Sequence, residues 1–462
     1  VSRRHVELIG VDNGDDNFVE TDVRVRRSLG PQMWLPEHRR TELKQLLSRS
    51  HQVVSLAALT GVLTGLLVAL FDRLVVDVLF EHVLRLRPWL IAVLPAVGLM
   101  LALGVRKSIG RGASPATADE YLHAFHDEDH ELEWRPFVAR MIAAVLTLGS
   151  GGPMGLEGPS LYSGAIIGSK LQRRLPRSFR DADRRVLLVA GAAAGVAAIF
   201  KAPATGAVFA LEVPYQEDLA RRMLLPSLVA SATGYLTFVG INGTTALFPI
   251  DGNPSFQMRD LFGAIAIGII AGFGARCFAW LLRRAKHLAA SPRPWLTTAA
   301  AGASIAAMFT IGRLLTGESL LVGSGYQVVA WAAVPRHSIW LMFVILVLRC
   351  MATSATVAGG GVGGLFIPLV VAGALTGSII GGVVDRADLT LFIVIGVAAF
   401  LGAGYRVPLA AVMFVAETTG RPSFIVPGLL AAVAAELMMG TSSVTKYQRV
   451  GAIRLATRKD TT

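Results

Sequence analysis

The sequence predicts an all-α, polytopic membrane protein built from two related halves, and three observations carry this. Of 462 residues, 53% are hydrophobic and only 16% charged, against about 25% charged in an average soluble domain, so a water-facing surface cannot be covered. Between residues 50 and 440, apolar runs such as 55–70, 89–105 and 389–404 follow one another with short basic or Gly/Pro interruptions. The chain also repeats itself at a spacing of 205 to 209 residues.

The elements follow in order. Residues 1–50 are polar and mixed in charge. Lacking an early apolar core, they are no signal peptide and read as a cytoplasmic arm. Residues 51–240 form a first membrane repeat, 241–445 a second, and 446–462 a short basic cytoplasmic tail. The net charge of +12 comes from bases at the ends of apolar runs, as in 170–185, 283–286 and Lys446 to Lys459. Such flanks mark cytoplasmic loops, so the basic balance sets topology rather than nucleic-acid binding. Cys277 and Cys350 lie in apolar stretches; two thiols make neither a disulfide framework nor a zinc cluster, and both read as buried.

A membrane-spanning helix needs about 20 apolar residues. Many runs here are shorter, broken at Gly152/Pro153, Pro203, Gly363/Gly364, Pro368 and Pro408. Helices ending inside a bilayer are tolerated where their ends are buried in protein or line a polar cavity, and they point to an ion or substrate site. The breaks recur in the repeat. Residues 151–169 match 360–378 at nine of nineteen positions, including Gly155/Gly364, Leu156/Leu365 and Pro159/Pro368. Residues 191–212 match 396–417 at Pro203/Pro408, Phe209/Phe414 and Glu212/Glu417, with Lys201 opposite Arg406. Proline and glutamate matches in two ordered blocks set this apart from chance coincidence of Gly and Ala.

Each half therefore offers a Gly-rich loop running into a helix, GLEGP at 155–159 and GLFIP at 364–368. Glycine lets backbone approach a ligand closely, and a helix start presents free N–H groups at the positive end of its dipole. Two such starts facing each other make an anion site. The plainer reading, glycines for helix packing, fits either loop alone but not their matched placement. Glu157 stands out, since an intramembrane carboxylate costs about 2.5–3.5 kcal/mol on insertion scales and is functional by default. At a helix N-terminus it competes with an anion for the same N–H groups, and protonation releases it.

These residues resemble the CLC family of chloride channels and proton-coupled chloride antiporters. GLEGP is similar to the family's G(K/R)EGP, GGLFIP (363–368) to its GxFxP, and 191–212 to its AAAGLAAAFNAPLAG…E segment. Tyr447, in SVTKYQ, is similar to the tyrosine that contacts the central anion. The likeness runs from about residue 50 to 455 and is of prokaryotic type, with no CBS domains expected after Thr462. It implies two inverted-topology repeats of tilted and discontinuous helices. It further implies a homodimer with one pathway per subunit in the lipid of a bacterial inner membrane, both termini cytoplasmic, with no enzymatic activity and no cofactor or metal. By the same resemblance Glu157 is the gating glutamate. The backbone N–H groups of Leu156, Gly158, Phe366 and Ile367, with the Tyr447 hydroxyl, then bind chloride and other small anions.

The departures are as informative. In GRGASP (110–115), similar to the family's GSGIP, the serine position holds Gly112 and the nearest hydroxyl is Ser114. Leu156 replaces the motif's Lys/Arg. Val213 follows Glu212 where the resembling antiporters carry an inner proton-transferring glutamate. Passive or weakly proton-coupled transport is therefore expected, with coupled exchange by another inner route as the alternative. Lys201, in place of an asparagine, either lines the ion path or snorkels to an interface. His123, His126 and His130, with Asp127, Glu128 and Asp129, read as a metal site or pH sensor or as a solvated loop. The chain has no HExxH pair, no GxSxG elbow and no P-loop. Its intramembrane acids, Glu157, Glu212 and Glu417, lack the nucleophile an integral-membrane enzyme needs.

Overall fold

The computed structural model describes residues 37–127, 129–173, 185–245, 247, 258–334, 337–384 and 389–451, with side chains from residue 52 onward except Arg259. Residues 1–36 of the arm, Glu128, most of the basic run at 174–184 and the tail beyond Gly451 lie outside it. Contacts divide the chain into Val1–Ser50 and His51–Thr462. In the first unit, helical backbone is described from Glu37 onward.

The second unit is a multi-pass helical membrane protein. Among the described residues, eight helices are long and apolar enough to cross a bilayer: Gln52–Leu84, Pro88–Ser108, Arg221–Asn242, Asp260–Ala289, Pro294–Thr316, Ile339–Ala358, Phe366–Val383 and Pro422–Met439. Their outward faces carry exposed Leu70, Trp89, Leu236, Leu314, Trp340 and Leu437, the inverse of a soluble protein and the pattern of a lipid-facing surface. Cys277 shares that surface and is exposed. The expected burial is thus corrected for Cys277, since an apolar run in a membrane helix has one face toward lipid, while Cys350 is half-buried.

Proline starts several helices, at Pro88, Pro203, Pro294 and Pro408, because a first-turn residue needs no N–H partner. Val186–Phe200 has 15 residues, about 22 Å at 1.5 Å per residue, too short for a core of about 30 Å. It is buried from Leu187 to Phe200, so its ends are enclosed by protein. Matched glycines permit this enclosure. A Cβ on Gly164 would fall 1.8 Å from the Gly191 carbonyl oxygen, and one on Gly373 would fall 2.4 Å from that of Gly396. The same helix pair is thereby locked at backbone contact in both repeats. For these glycines the packing reading holds.

The two repeats meet with opposite polarity. Glu212, the last residue of the Pro203–Glu212 helix, accepts from the Leu409 and Ala410 N–H groups at 3.0 and 2.8 Å. Glu417, near the end of the Pro408–Thr419 helix, accepts from Ala204 N–H at 2.9 Å and Thr205 N–H at 2.6 Å. Each helix thus caps the other's N-terminus, which requires them to lie antiparallel. Arg140 and Arg349 extend the repeat, at the same offset of 209 (349 − 140) as the GLEGP block. Arg140 donates to the Ser114 carbonyl and Arg349 to those of Leu320, Val322, Gly323 and Ser324. Each ties down the loop ahead of a short helix.

Candidate functional site

The two Gly-rich loops pair directly. Gly155 N–H donates to the Gly364 carbonyl at 3.0 Å and Gly364 N–H to that of Gly155 at 2.7 Å. This antiparallel bridge sets the Glu157–Arg173 helix start against that of Phe366–Val383. Glu157 is 4% exposed, and its Oε1 accepts from Phe366 N–H at 2.5 Å and Ile367 N–H at 3.3 Å. The carboxylate of one repeat therefore occupies the N–H groups of the other. Oε2 is buried and has no hydrogen-bond partner among the described residues. Glycine on both sides makes room for the carboxylate, since a Cβ on Gly155 would lie 1.9 Å from Oε2 and one on Gly364 2.1 Å from Oε1.

An aromatic box holds the Phe366 backbone in place. The Phe366 ring lies 4.3 Å from Phe200, 4.9 Å from Phe414 and 5.5 Å from Phe209, centroid to centroid. Phe209 and Phe414 are the repeat-matched pair, so both halves contribute one wall.

Two cavities of about 340 Å³ each approach the carboxylate. The first is walled by Arg106, Glu120, Leu365, Tyr405 and Tyr447, the second by Asp72, Leu156, Lys201 and Tyr326. They share only Met154, and Glu157 stands between them without lining either. Lys201 thus resolves toward a cavity. It caps its helix at φ 52° and donates to the Thr245 carbonyl at 2.9 Å. A π-helical stretch, Arg73–Phe80, widens the first span beside this cavity.

The other predicted residues are scattered. Gly112 and Ser114 lie on the wall of the Tyr447 cavity but both are exposed, and the Ser114 hydroxyl accepts from Ala116 N–H at 3.3 Å. Tyr447 is 41% exposed and stacks on His123 at 4.7 Å, at the cavity mouth. Two residues missed by sequence reasoning lie deeper in the same wall, Tyr405 at 2% exposure and Thr117 at 1%. The only signal for Tyr405 was a polar ring opposite Phe200 in the repeat.

Val213 is buried, and its carbonyl accepts from Gln448 Nε2, which also donates to the Tyr405 carbonyl. The position expected to bear an inner acid is thus apolar and closed over by the chain after Tyr447. The histidines share no metal geometry, since no cluster of three or more His, Cys, Asp or Glu fit for a metal occurs among the described residues. His130 lies 3.1 Å from Glu120, whose carboxylate also pairs with Arg140 at 2.8 Å. His126 donates to the Pro214 carbonyl at 2.7 Å. Burial pushes its pKa down to about 4, which keeps it neutral near pH 7. Arg106, 8% exposed, lines the cavity with no carboxylate partner among the described residues and donates to the Ala113 carbonyl at 3.0 Å.

Paired broken helices, opposed N-termini and a carboxylate between two cavities define an anion-transport protein of the multi-pass, inverted-repeat class. The profile of the family described as "Voltage gated chloride channel" matches residues 97–440, and the chain belongs to this CLC family. It is 27% identical over 418 residues to the H(+)/Cl(-) exchange transporter ClcA of Cronobacter sakazakii, covering 86% of this chain and 89% of that one. It is 26% identical over 434 residues to that of Salmonella newport, covering 87% and 88%. Its fold is similar to that of a slow cyanobacterial Cl-/H+ antiporter (TM-score 0.74, 20% identity, 84% and 94% coverage). It is also similar to that of a CLC-type fluoride/proton antiporter (TM-score 0.75, 22% identity, 87% and 98% coverage).

Proposed function

We propose that this protein carries chloride across the membrane along a pathway that Glu157 gates. The observation that carries the reading is the Glu157 carboxylate on the Phe366 and Ile367 N–H groups. A bound anion needs the same donors, so carboxylate and chloride exclude one another, and protonating Glu157 weakens its hold. The N–H groups of Leu156 and Gly158 complete the donor set from the first repeat. Tyr447 guards the mouth of its cavity. Lys201 and Arg106 draw anions into the two vestibules, where low dielectric strengthens their fields. The protein acts as a homodimer in a bacterial inner membrane with both termini cytoplasmic, and as a transporter rather than an enzyme.

Transport is passive or weakly proton-coupled. Val213 cannot carry a proton, and Glu212 is held as the cap of the opposite helix by Leu409 and Ala410. The names of the related exchange transporters favour a second reading, in which protons reach Glu157 through the Tyr447 cavity instead. Purified protein in liposomes under a chloride gradient, with chloride and proton movement recorded together, separates the two. Chloride efflux with little uphill proton movement is expected. Proton pumping at a fixed ratio, abolished in Glu157→Gln, establishes the second reading. Absence of chloride flux refutes both.

A further inference from the structure

We infer that His123 is a positioning residue for Tyr447, holding its ring at the cavity mouth in a stack that His130 and Glu120 brace from behind. The inference rests on the role proposed for Tyr447 above. It gives His123 and His130 a task other than the metal site, pH sensor or solvated loop that the sequence allows.

Three rings lie face on face. His123 is parallel to Tyr447 within 4°, with centroids 4.7 Å apart, and His130 lies 3.9 Å from His123 at 23°. No ring contact joins His130 to Tyr447 among the described residues, so His123 sits between them. The local sequence builds this order. His123 occupies the last turn of the Thr117–His126 helix, and Asp127 closes the turn that brings His130 back over it. The Asp127 carboxylate accepts from Asp129 N–H at 3.1 Å and its carbonyl from His130 N–H at 3.3 Å.

The stack is anchored at its far end. His130 Nε2 lies 3.1 Å from Glu120, which pairs with Arg140 at 2.8 Å. Arg140 in turn donates to the Tyr162 hydroxyl at 2.6 Å, and Tyr162 belongs to the Glu157–Arg173 helix. Side-chain contacts therefore run from the helix that carries the gate to the Tyr447 ring. The backbone beside Tyr447 does not replace them. Lys446 N–H donates to Asp119 at 3.1 Å, and the Gln448 side chain donates to the Val213 and Tyr405 carbonyls. These bonds pin the neighbours on both sides but leave the Tyr447 side-chain torsions unset. A ring 41% exposed is otherwise shared among staggered rotamers. Stacking one aromatic ring on another shifts such a population about two- to tenfold.

The test titrates chloride into purified protein by calorimetry at fixed pH. It compares wild type, His123→Ala, His123→Phe, Tyr447→Ala and the double variant His123→Ala/Tyr447→Ala. His123→Ala is expected to weaken chloride binding about two- to tenfold, because a smaller fraction of the protein holds Tyr447 in place. His123→Phe keeps a flat ring without charge or hydrogen bond and is expected to restore wild-type affinity. In the Tyr447→Ala background, His123→Ala is expected to change nothing further, since residues that act through one another are non-additive. A helix merely loosened by the truncation adds its loss to that of Tyr447→Ala instead. Wild-type affinity in His123→Ala, no rescue by His123→Phe, or additive losses in the double variant each overturn the inference. The two ideas fail differently. Wild-type affinity in Tyr447→Ala removes the role given to Tyr447 and this inference with it, whereas weak binding in Tyr447→Ala beside wild-type binding in His123→Ala removes only the part assigned to His123.

Discussion

Replacing Glu157 by Gln removes one charge and little volume, so it isolates the carboxylate's hold on the opposing helix. Oε1 accepts one short bond at 2.5 Å and one marginal bond at 3.3 Å. A hydrogen bond to a charged acceptor contributes about 1.5–3 kcal/mol net, against about 0.5–1.5 for a neutral one. The exchange therefore weakens the short bond by about 1–1.5 kcal/mol and the long one by less, about 1.5–2 kcal/mol together. At 1.4 kcal/mol per decade, this lets chloride compete about 10- to 30-fold better for the same N–H groups. The sign with pH follows from the same contact. Acidification neutralises the wild-type carboxylate and frees the donors, so chloride flux rises as pH falls. The Gln variant cannot titrate, and its flux stays high and flat. Chloride efflux from liposomes, followed by a chloride electrode across a pH series, measures both effects. A Glu157→Gln protein that retained the wild-type pH slope would refute the reasoning, because the titrating gate would then lie elsewhere.

Four further outcomes follow from other contacts. Gly364→Ala puts a Cβ where Glu157 Oε1 now lies. It should expel the carboxylate and give pH-insensitive flux with Glu157 intact, and unchanged pH dependence in the same liposome assay would contradict the pairing. Glu417→Ala strips the cap from Ala204 and Thr205 and should destabilise the protein by about 1–2 kcal/mol, seen as a lower melting temperature in detergent. Arg106→Met removes a buried cation from the Tyr447 cavity. It should slow chloride entry from that side several-fold at low ionic strength, while Arg106→Lys preserves it, because screening acts on the charge rather than the shape. Val213→Glu restores an acid at the closed inner position, and combined proton and chloride recording should show more proton movement per chloride than in wild type.

Much of the architecture was legible in the sequence because it rests on local rules. Helix starts at Pro203 and Pro408 follow from the missing proline N–H. The short, glycine-rich runs at 186–200 and 390–405 require enclosure by protein, and the matched glycines permit it. Glu157 stood out because a charge inside an apolar segment is costly wherever it points, and repeat matching placed the second loop opposite it. Which donors the carboxylate reaches is another matter. Its partners are 209 and 210 residues away, and no periodicity within either half encodes that contact.

The same holds for the exchange of caps between Glu212 and Glu417, which the repeat marked as equivalent but only the antiparallel packing of their helices brings to each other's start. Arg140 and Arg349 were hidden because their surroundings differ in sequence while their task, holding a loop by its carbonyls, is the same. The motif directed attention to Gly112 and Ser114, which are exposed, yet the hydroxyl-bearing residue buried in that cavity's wall is Thr117. A chain that turns once more after Pro115 presents a later residue to the cavity. Sequence by itself determined the spans, the repeat and the acid at the start of the first Gly-rich helix, since burial cost and backbone chemistry act residue by residue. Tertiary structure decided which groups face that acid, since contacts between segments some 200 residues apart are set by how the two halves pack.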